Sequence, residues 1–467
     1  MVFFILSTRI TEFTTYTLTN VRGCCKNCAS RFAGTFSEVE EGEEENVCVV
    51  CLGSLSSSKE VDGLVELFRE KFEKYSEVKD FQLNVSMPRN CGIRAAMIRH
   101  ELAMTFSRDY SSLDPSPDLK TCLKSVLVSR LERVLKLSHC SNSEMQLSLD
   151  MSHETSDRET QLLFPQQTFK KKNQRKRKRG NNNTIGTRQI QAKLDQLDTS
   201  SMPQSMQTVP SRVKSKVLST VAVSRKSIYV YGRYQKFLRG LPQSPWFING
   251  KRKGVSSVEE EITKVVLPNF GRVQKSVFQS GGREDIDVRM LGQGRPFLLE
   301  LQDSTVAACD SKTCREMESQ VLVSSHGAIG LRELRLLTSS EVSSVLSMMQ
   351  EAALTKKKEY VAIVWTERPI EMSDLARVDA QKDLVLKQLT PIRVAHRRST
   401  MIRDKKIHKL KCTWINSRWF ELRITASAGT YIKEFVHGDL GRTTPNLSTF
   451  LGCKADIIQL DVANVII

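Results

Sequence analysis

Apolar residues in the first half of the chain recur with two different periods. Between Val61 and Phe72 they return every three or four positions, which predicts an amphipathic helix. Between Phe81 and Met87 they alternate with polar residues, which predicts a strand with one buried face. We therefore expect residues 57–137 to form a mixed α/β module.

Two polar stretches interrupt this pattern further along the chain. Residues 139–157 contain little that would build a core, so we interpret them as a loop or insertion. Residues 181–211 are rich in Asn, Gln, Ser and Thr, which is typical of a linker. We accordingly predict three segments, with bounds at 1–56, 57–215 and 216–467.

The second half of the chain is richer in strand patterns. Strands are predicted for 227–232, 297–301 and 358–365. A further strand is predicted from Arg423 to Gly429, and a helix then opens at about Thr430, whose hydroxyl would cap it. Strands and helices in this mixture indicate an α+β protein.

The net charge of the chain narrows the choice of partner. It holds 70 Lys and Arg against 52 Asp and Glu, a formal charge of +18, which favours a polyanionic partner such as nucleic acid. A membrane surface is the competing partner. Against it, no apolar run approaches the roughly 20 residues that span a bilayer, and residues 2–6 are too short for a signal-peptide core. We expect a soluble intracellular protein.

Two Cys-x-x-Cys motifs near the N-terminus predict a metal site. Cys25 and Cys28 form the first motif, and Cys48 and Cys51 form the second. Two such turns match a tetrahedral zinc site with four thiolates, although Cys24 is an alternative to Cys25. Four sulfur ligands leave no coordination position for a substrate, so the zinc would be structural.

A glycine-rich nonapeptide, 281–289, contains the strongest candidate for chemistry. Its sequence is Gly-Gly-Arg-Glu-Asp-Ile-Asp-Val-Arg, with Arg283 two positions before Asp285. Glycines allow a tight turn that exposes and fixes a carboxylate, and an arginine beside it offers a fork for phosphate. By itself the motif also fits an ordinary turn with a surface ion pair. We expect the aspartate to lie on a loop before or between strands.

Several cationic segments are candidate RNA contacts. In 170–179 all but two residues are Lys or Arg, which fits a nuclear localisation signal, a contact to an RNA backbone, or a solvated loop. Cations alternate with aromatics in 233–246 and with apolar residues in 391–411. The arginines that we expect to contact RNA are Arg233, Arg393, Arg397 and Arg398.

Three short motifs follow one another along the second half of the chain. They are Gly-Arg-Glu-Asp285, Tyr360 on its strand, and Gly-Thr-Tyr431-Ile-Lys433. With Leu-Pro-Gln-Ser-Pro-Trp and Cys-Val-Val-Cys-Leu-Gly, the chain resembles the archaeal and eukaryotic tRNA pseudouridine synthase ten family. The resemblance implies a C-terminal pseudouridine synthase fold, a mixed and mostly antiparallel sheet flanked by helices. It also implies an N-terminal zinc-binding, THUMP-like α/β domain that binds RNA.

The resemblance also implies roles for individual residues. Asp285 matches the catalytic nucleophile, and Lys433 matches a basic residue that pairs with it. Arg283 resembles the arginine that holds the flipped nucleotide, and Tyr360 the aromatic that stacks on the base. The remaining substrate-binding candidates are Tyr431 and Leu451, the latter as the apolar residue that closes the pocket. Asp287 is expected to be structural.

The function implied by the resemblance is isomerisation of uridine to pseudouridine in the TΨC arm of tRNA, at position 54, 55 or both. Apart from structural zinc, no organic cofactor is expected. The chain is expected to act as a monomer in the nucleus, the cytoplasm or both. The main alternative is a non-catalytic RNA-binding or RNA-processing factor that uses the zinc-binding, THUMP-like half. A zinc-dependent RNA deaminase is disfavoured, because no His-x-Glu accompanies a Cys-x-x-Cys pair.

Overall fold

A computed structural model describes residues 15–41, 46–106, 117–164, 186–197 and 200–465. The chain divides into two compact units, 1–226 and 227–467. No helix in these described ranges is long and apolar enough to span a bilayer.

The regular elements alternate along both units. The helices are α1 Lys26–Phe32, α2 Ser58–Phe72, α3 Arg89–Phe106, α4 Leu119–Leu135, α5 Ser156–Leu163, α6 Thr187–Leu194, α7 Val258–Val266, α8 Ser311–Ser324, α9 Ser339–Leu354, α10 Met372–Asp379, α11 Ile432–His437 and α12 Leu447–Leu451. The strands are β1 Asp80–Ser86, β2 Ser138–His139, β3 Met145–Ser152, β4 Leu218–Arg225, β5 Ile228–Lys236, β6 Trp246–Ile248, β7 Lys251–Lys253, β8 Lys275–Ser280, β9 Arg289–Gln302, β10 Ile329–Leu337, β11 Lys358–Thr366, β12 Lys382–Leu389, β13 Ile402–Asn416, β14 Trp419–Ala426, β15 Thr443–Thr444 and β16 Ala455–Val465.

The first unit is built on a four-stranded sheet in the order β2-β1-β3-β4. The predicted helix at 61–72 and strand at 81–87 are confirmed as α2 and β1. The prediction of a loop over 139–157 is wrong, because β3 occupies the middle of the sheet. Four alternate residues of β3 are buried: Met145, Leu147, Leu149 and Met151. The polar residues between them conceal this strand in the composition.

The boundary between the units lies later than the predicted one at 215. Strand β4 pairs antiparallel with β3 from Leu218 to Arg225, so the chain completes the first sheet before it enters the second unit. The cysteine segment shares one hydrophobic core with this sheet, since Cys51 and Leu55 join the same cluster as Phe81. The predicted segments 1–56 and 57–215 therefore lie in one compact unit.

The stretch 181–211 is also more ordered than a linker where it is described. Helix α6 begins within it, and Ile190 is buried with Met202 and Met206 in a small cluster against α3 and α5. The isolated apolar residues among polar ones are enough for this small contact, which composition alone does not reveal.

The second unit contains a ten-stranded sheet. Its order is β10-β5-β9-β16-β11-β14-β13-β12-β15, and β8 pairs with β9. All pairings are antiparallel except β16 with β9. This confirms the mixed, mostly antiparallel sheet. The predicted strands at 297–301 and 358–365 lie within β9 and β11, and the one at 227–232 begins one residue before β5.

The strand-to-helix junction after β14 differs in detail from the prediction. Helix α11 begins at Ile432 with Tyr431 as the preceding residue, not at Thr430. The Thr430 hydroxyl instead donates to the Ser427 carbonyl at 2.8 Å, within a turn. Both backbone groups of Tyr431 bond the side-chain amide of Gln388, each at 2.9 Å, so β12 fixes the start of the helix.

Candidate active site

The nonapeptide forms the loop between β8 and β9, as expected. Gly282 has φ +104°, and a Cβ at this position would lie 2.7 Å from Nη1 of Arg295. The Gly282 carbonyl accepts hydrogen bonds from Ser280 at 2.7 Å and Gln243 at 3.0 Å. A glycine is required here both by the backbone angle and by the close approach of Arg295.

A buried hydrogen-bond network that the sequence did not predict anchors the loop to strands β5 and β9. Both carboxylate oxygens of Glu284 accept from the Tyr234 hydroxyl, at 2.9 and 3.0 Å, and Nε of Arg295 donates to Glu284 at 2.8 Å. The side chains of Glu284 and Arg295 are 1% and 2% exposed. Burial and the nearby Glu284 carboxylate raise the pKa of Tyr234 well above its ordinary value, so its hydroxyl remains a donor.

Lys236 fixes the backbone of the predicted nucleophile and of the residue that follows it. Its buried amine donates to the carbonyls of Leu241 at 2.9 Å and of Asp285 and Ile286 at 3.1 Å each. Burial lowers the pKa of this lysine, although the neighbouring carboxylates oppose that shift. Three carbonyl acceptors around one ammonium restrict the loop to a single backbone geometry.

The predicted nucleophile is partly exposed and paired with an arginine. The Asp285 side chain is 35% exposed, and its Oδ2 lies 2.9 Å from Nη1 of Arg393. Nε of the same guanidinium donates to the buried Glu434 at 2.7 Å. Although burial opposes it, the Glu434 carboxylate raises the pKa of Arg393 above its ordinary value. A fixed cation thus faces a carboxylate that remains open to a ligand.

The partner of Asp285 differs from the sequence-based expectation. Lys433, expected to pair with Asp285, instead donates to Oδ2 of Asp287 at 2.5 Å. Although partial burial opposes ionisation, this ammonium holds the pKa of Asp287 below its ordinary value. The two residues that precede and follow Ile286 therefore bind different cations, from different segments of the chain.

The predicted aromatic and apolar residues, Tyr360 and Leu451, lie in the hydrophobic core of the second unit. Tyr360 is 9% exposed, and burial raises its pKa to about 12, with smaller electrostatic effects from Arg295 and Asp285. Leu451 is fully buried at the end of α12. Arg283, in contrast, is exposed and makes no polar contact within the described part of the chain.

The arginines predicted to contact RNA have different environments. Arg233 is 4% exposed and donates to the carbonyls of Gln293 at 2.8 Å and Gly294 at 3.0 Å, so its guanidinium is engaged within the protein. Arg393 is engaged by Asp285 and Glu434. Arg398 is exposed, with Nη1 at 3.4 Å from the Tyr431 hydroxyl. The side chain of Arg397 and the run 170–179 lie outside the described residues.

The four cysteines predicted to bind metal lie close together in the first unit. The sulfurs of Cys25, Cys28, Cys48 and Cys51 all lie within 4.8 Å of one another, and all four residues are buried. Sulfurs at 2.3 Å from a tetrahedral zinc are about 3.8 Å apart, and Cys25 Sγ lies 3.7 Å from Cys51 Sγ. The group therefore fits zinc. Cys24, the alternative ligand, lies outside it.

Backbone donors support the sulfurs of this group. The Cys28 amide donates to Cys25 Sγ at 3.3 Å at the start of α1, and the Cys25 amide donates to Cys48 Sγ at 3.2 Å. Although burial opposes ionisation, hydrogen bonds from the other thiols hold the pKa of Cys48 well below its ordinary value, whereas hydrogen bonds to those thiols, with burial, raise the pKa of Cys25. Amide donors stabilise thiolate charge, which suits a metal-binding cluster.

Both halves of the chain match known sequence families. Residues 229–466 match the family described as Pus10, C-terminal, and residues 48–222 match the family described as Eukaryotic Pus10, N-terminal. The protein named tRNA pseudouridine synthase Pus10 of Xenopus laevis is 31% identical over 438 residues, which cover 92% of this chain and 82% of that protein. The human protein of the same name is 31% identical over 435 residues, covering 92% and 80%.

One relative has a higher sequence identity over a shorter range, and one solved structure can be superposed on half of this chain. Mouse tRNA pseudouridine synthase Pus10 is 43% identical over 245 residues, 52% of this chain and 45% of that protein. In the crystal structure of a Cbf5-Nop10-Gar1 complex, 48% of one chain aligns with 50% of this chain, at 18% identity and a TM-score of 0.28. That likeness is too distant to support an argument. From the two family matches and the relatives aligned along most of its length, the chain belongs to the Pus10 family.

Proposed function

We propose that this chain converts uridine to pseudouridine in tRNA, with Asp285 as the nucleophile and no organic cofactor. The observation that carries the proposal is the pairing of a partly exposed Asp285 with Arg393, on a loop whose backbone Lys236 fixes. Relatives aligned along most of the chain are named tRNA pseudouridine synthases. Within tRNA, we assign the TΨC arm, at position 54, 55 or both, on the resemblance of the motifs.

The proposed reaction is an isomerisation that requires no oxidant or co-substrate. The Asp285 carboxylate attacks either C1′ of the ribose or C6 of the base, and the N1–C1′ bond breaks. The uracil then turns, a C5–C1′ bond forms and the carboxylate is released. The C5 proton leaves to solvent, and N1 takes up a proton from solvent in exchange. A carboxylate is a weak nucleophile in water, so its fixed orientation next to Arg393 supplies the required positioning.

The target nucleotide must leave the base stack before it can reach Asp285. Extrusion costs a few kcal/mol, and contacts to the extruded nucleotide offset that cost. In this proposal Arg283 and Tyr431 contact the nucleotide at the rim, Tyr360 stacks on the base, and Leu451 forms the apolar wall. Lys433 contributes through Asp287, its partner at 2.5 Å, and not through the nucleophile.

The rest of the tRNA is bound by the cationic surface and, in this proposal, by a THUMP-like N-terminal unit. Arg398 is exposed beside Tyr431, which suits a phosphate contact near the extruded nucleotide. Because phosphate contacts release counterions, affinity for tRNA should fall steeply with salt. The protein is proposed to act as a monomer in the nucleus, the cytoplasm or both.

The enzymatic proposal is tested by tritium release from tRNA labelled at C5 of uridine, with site-resolved mapping of pseudouridine. Wild type should release tritium at position 54, 55 or both, and Asp285→Asn should release none above background. Asp404→Asn, an exposed aspartate of β13, is the matched control and should retain wild-type activity. If wild type binds tRNA but releases no more tritium than Asp285→Asn, the chain is a non-catalytic RNA-binding factor.

The four-cysteine group is proposed to hold one structural zinc. Zinc would join the two Cys-x-x-Cys turns and supply no chemistry to the reaction. Metal analysis of purified protein should find one zinc per chain, retained in Cys24→Ser and lost in Cys28→Ser. Equal zinc loss in the two variants would overturn the assigned ligand set.

A further inference from the structure

Lys358 is a buried lysine without a partner beside the candidate active site. It is the first residue of β11 and lies on the same face as Tyr360, two positions along the strand. It is 8% exposed, and its amine makes no hydrogen bond or ion pair to any residue that the structure describes. The Cα atoms of same-face neighbours on a strand are about 6.6 Å apart, so the side chains of Lys358 and Tyr360 leave the sheet side by side on one face.

Two cations and one carboxylate lie near Lys358. Burial, followed by the charges of Arg295 and Lys405, lowers its pKa to about 8, although the Glu284 carboxylate opposes this shift. Each of these cations is already fixed to a separate loop. Nη1 of Arg295 donates to the Gly281 carbonyl at 3.0 Å, before the nucleophile, and Lys405 donates to the Ala428 carbonyl at 2.8 Å, before Tyr431.

Of these three cations, Lys358 is the one whose amine has no acceptor among the described residues. Arg295 is neutralised by Glu284 at 2.8 Å, and Lys405 uses a carbonyl acceptor. A largely buried lysine without a counter-charge reduces stability, and Lys358 makes no compensating contact within the described part of the chain. Its chemistry therefore suits an electron-rich oxygen of a ligand.

Because Lys358 is buried, its amine can contact only the part of an RNA ligand that enters the protein. Phosphates of an extruded nucleotide remain at the protein surface, whereas the base enters the pocket. Lys358 is as buried as Tyr360, the residue proposed to stack on the base, while exposed cations such as Arg283 and Arg398 remain available at the rim. The deep position favours the base over the backbone.

We propose that the ammonium of Lys358 donates a hydrogen bond to a carbonyl oxygen of the target uracil and stabilises the negative charge that develops there. The inference rests on the proposed function and adds a catalytic residue to it. When Asp285 attacks C1′, the electrons of the N1–C1′ bond pass to N1 and delocalise onto O2 and O4. When Asp285 attacks C6, the electrons of the C5–C6 double bond pass towards O4.

In both routes the charge is transient. It disappears when C5 has bonded to C1′, the bond to Asp285 has broken, and N1 has taken up a proton in exchange for the C5 proton. A donor placed where charge develops lowers the barrier more than it strengthens binding of the ground state. Lys358 should therefore affect the rate at saturation and leave affinity for tRNA nearly unchanged.

The test compares Lys358→Met, Lys358→Gln and the neighbouring control Lys357→Met, whose side chain is exposed. Each is assayed for single-turnover pseudouridine formation at saturating protein and for tRNA affinity over a range of salt. Loss of one such donor typically slows chemistry by about 10²–10³-fold. We expect that loss for Lys358→Met, a smaller loss for Lys358→Gln, and wild-type behaviour for Lys357→Met.

The outcomes separate this inference from the proposed function. An inactive wild type, or an active Asp285→Asn, refutes the proposed function itself. If wild type is active and Asp285→Asn is not, a Lys358→Met rate within threefold of wild type overturns the role of Lys358. Weaker binding with an altered salt dependence and an unchanged saturated rate also overturns it, because the amine would then bind phosphate. If Lys358→Met does not fold, Lys358→Gln decides, and a wild-type rate in that variant overturns the role.

Discussion

Nη1 of Arg393 lies 2.9 Å from Oδ2 of Asp285. The arginine comes from the segment after β12, and its Nε is bound by Glu434 of α11 at 2.7 Å. Glu434 is almost fully buried, so it has few alternative contacts and holds the guanidinium in one orientation. Three distant segments thereby determine the direction in which the Asp285 carboxylate points.

Glu434→Gln should therefore slow the reaction without changing affinity for tRNA. The amide removes the charge that orients Arg393, and loss of one charge-assisted hydrogen bond corresponds to about a tenfold lower rate. Single-turnover measurements would show this. Glu421→Gln, which removes an exposed pair with Arg423, is the control. Equal rates for the two variants would contradict a positioning role for Glu434.

The pairing of Lys433 with Asp287 predicts a specific energetic coupling. In a double-mutant cycle, Lys433→Met and Asp287→Asn should couple by about 0.5–1 kcal/mol in the free energy of urea unfolding, because the pair is partly exposed. A second cycle with Asp285→Asn in place of Asp287→Asn should be additive. Coupling in the second cycle and additivity in the first would instead assign Lys433 to the nucleophile.

The Glu284–Arg295 pair should be essential for stability. Glu284→Gln leaves the Arg295 guanidinium buried without its counter-charge, which typically costs about 3–5 kcal/mol in the free energy of unfolding. Urea denaturation measures the change. Glu316→Gln breaks an exposed pair with Lys312 and should change stability by no more than about 0.5 kcal/mol. A similarly small effect of Glu284→Gln would mean that water or another cationic arrangement replaces the network.

Lys358 should give the folding stability a pH dependence of its own. Its pKa falls from 10.5 to about 8 in the folded protein, so the unfolded chain binds more protons between these values. This lysine therefore makes the free energy of unfolding rise from about pH 8 to 10.5, and its penalty is fully present below pH 8. Lys358→Met should be more stable than wild type at pH 7, by up to about 3 kcal/mol.

The difference in unfolding free energy between Lys358→Met and wild type should shrink as the pH rises through this window. Lys357→Met, at an exposed position, should show no such trend. A difference that is constant from pH 7 to 10.5 would show that Lys358 is not charged at a cost in the folded protein.

Local patterns predicted the elements of this chain better than they predicted its contacts. Tyr360 was placed on its strand by alternation, and Asp285 on its loop by glycines, because both signals are contained in a few consecutive residues. The aromatic neighbours of Arg233 suggest RNA, but they do not reveal its acceptors, Gln293 and Gly294, which lie in β9.

Patterns within a few consecutive residues do not predict which charged residues pair with each other. Arg393 and Lys433 are both cations near the nucleophile, and only the tertiary arrangement assigns the first to Asp285 and the second to Asp287. The Glu284 network likewise joins β5, the loop and β9, so spacing along the sequence does not reveal it.

The position of β4 determines where the two units can be separated. A fragment that ends at 215 would remove β4 and leave the polar backbone of β3 unpaired along one side, a feature that promotes association between chains. A fragment that begins at 216 would carry β4 as an unpaired apolar segment. Cleavage between Lys226 and Ser227 keeps each sheet whole and should yield two soluble halves suitable for separate binding studies.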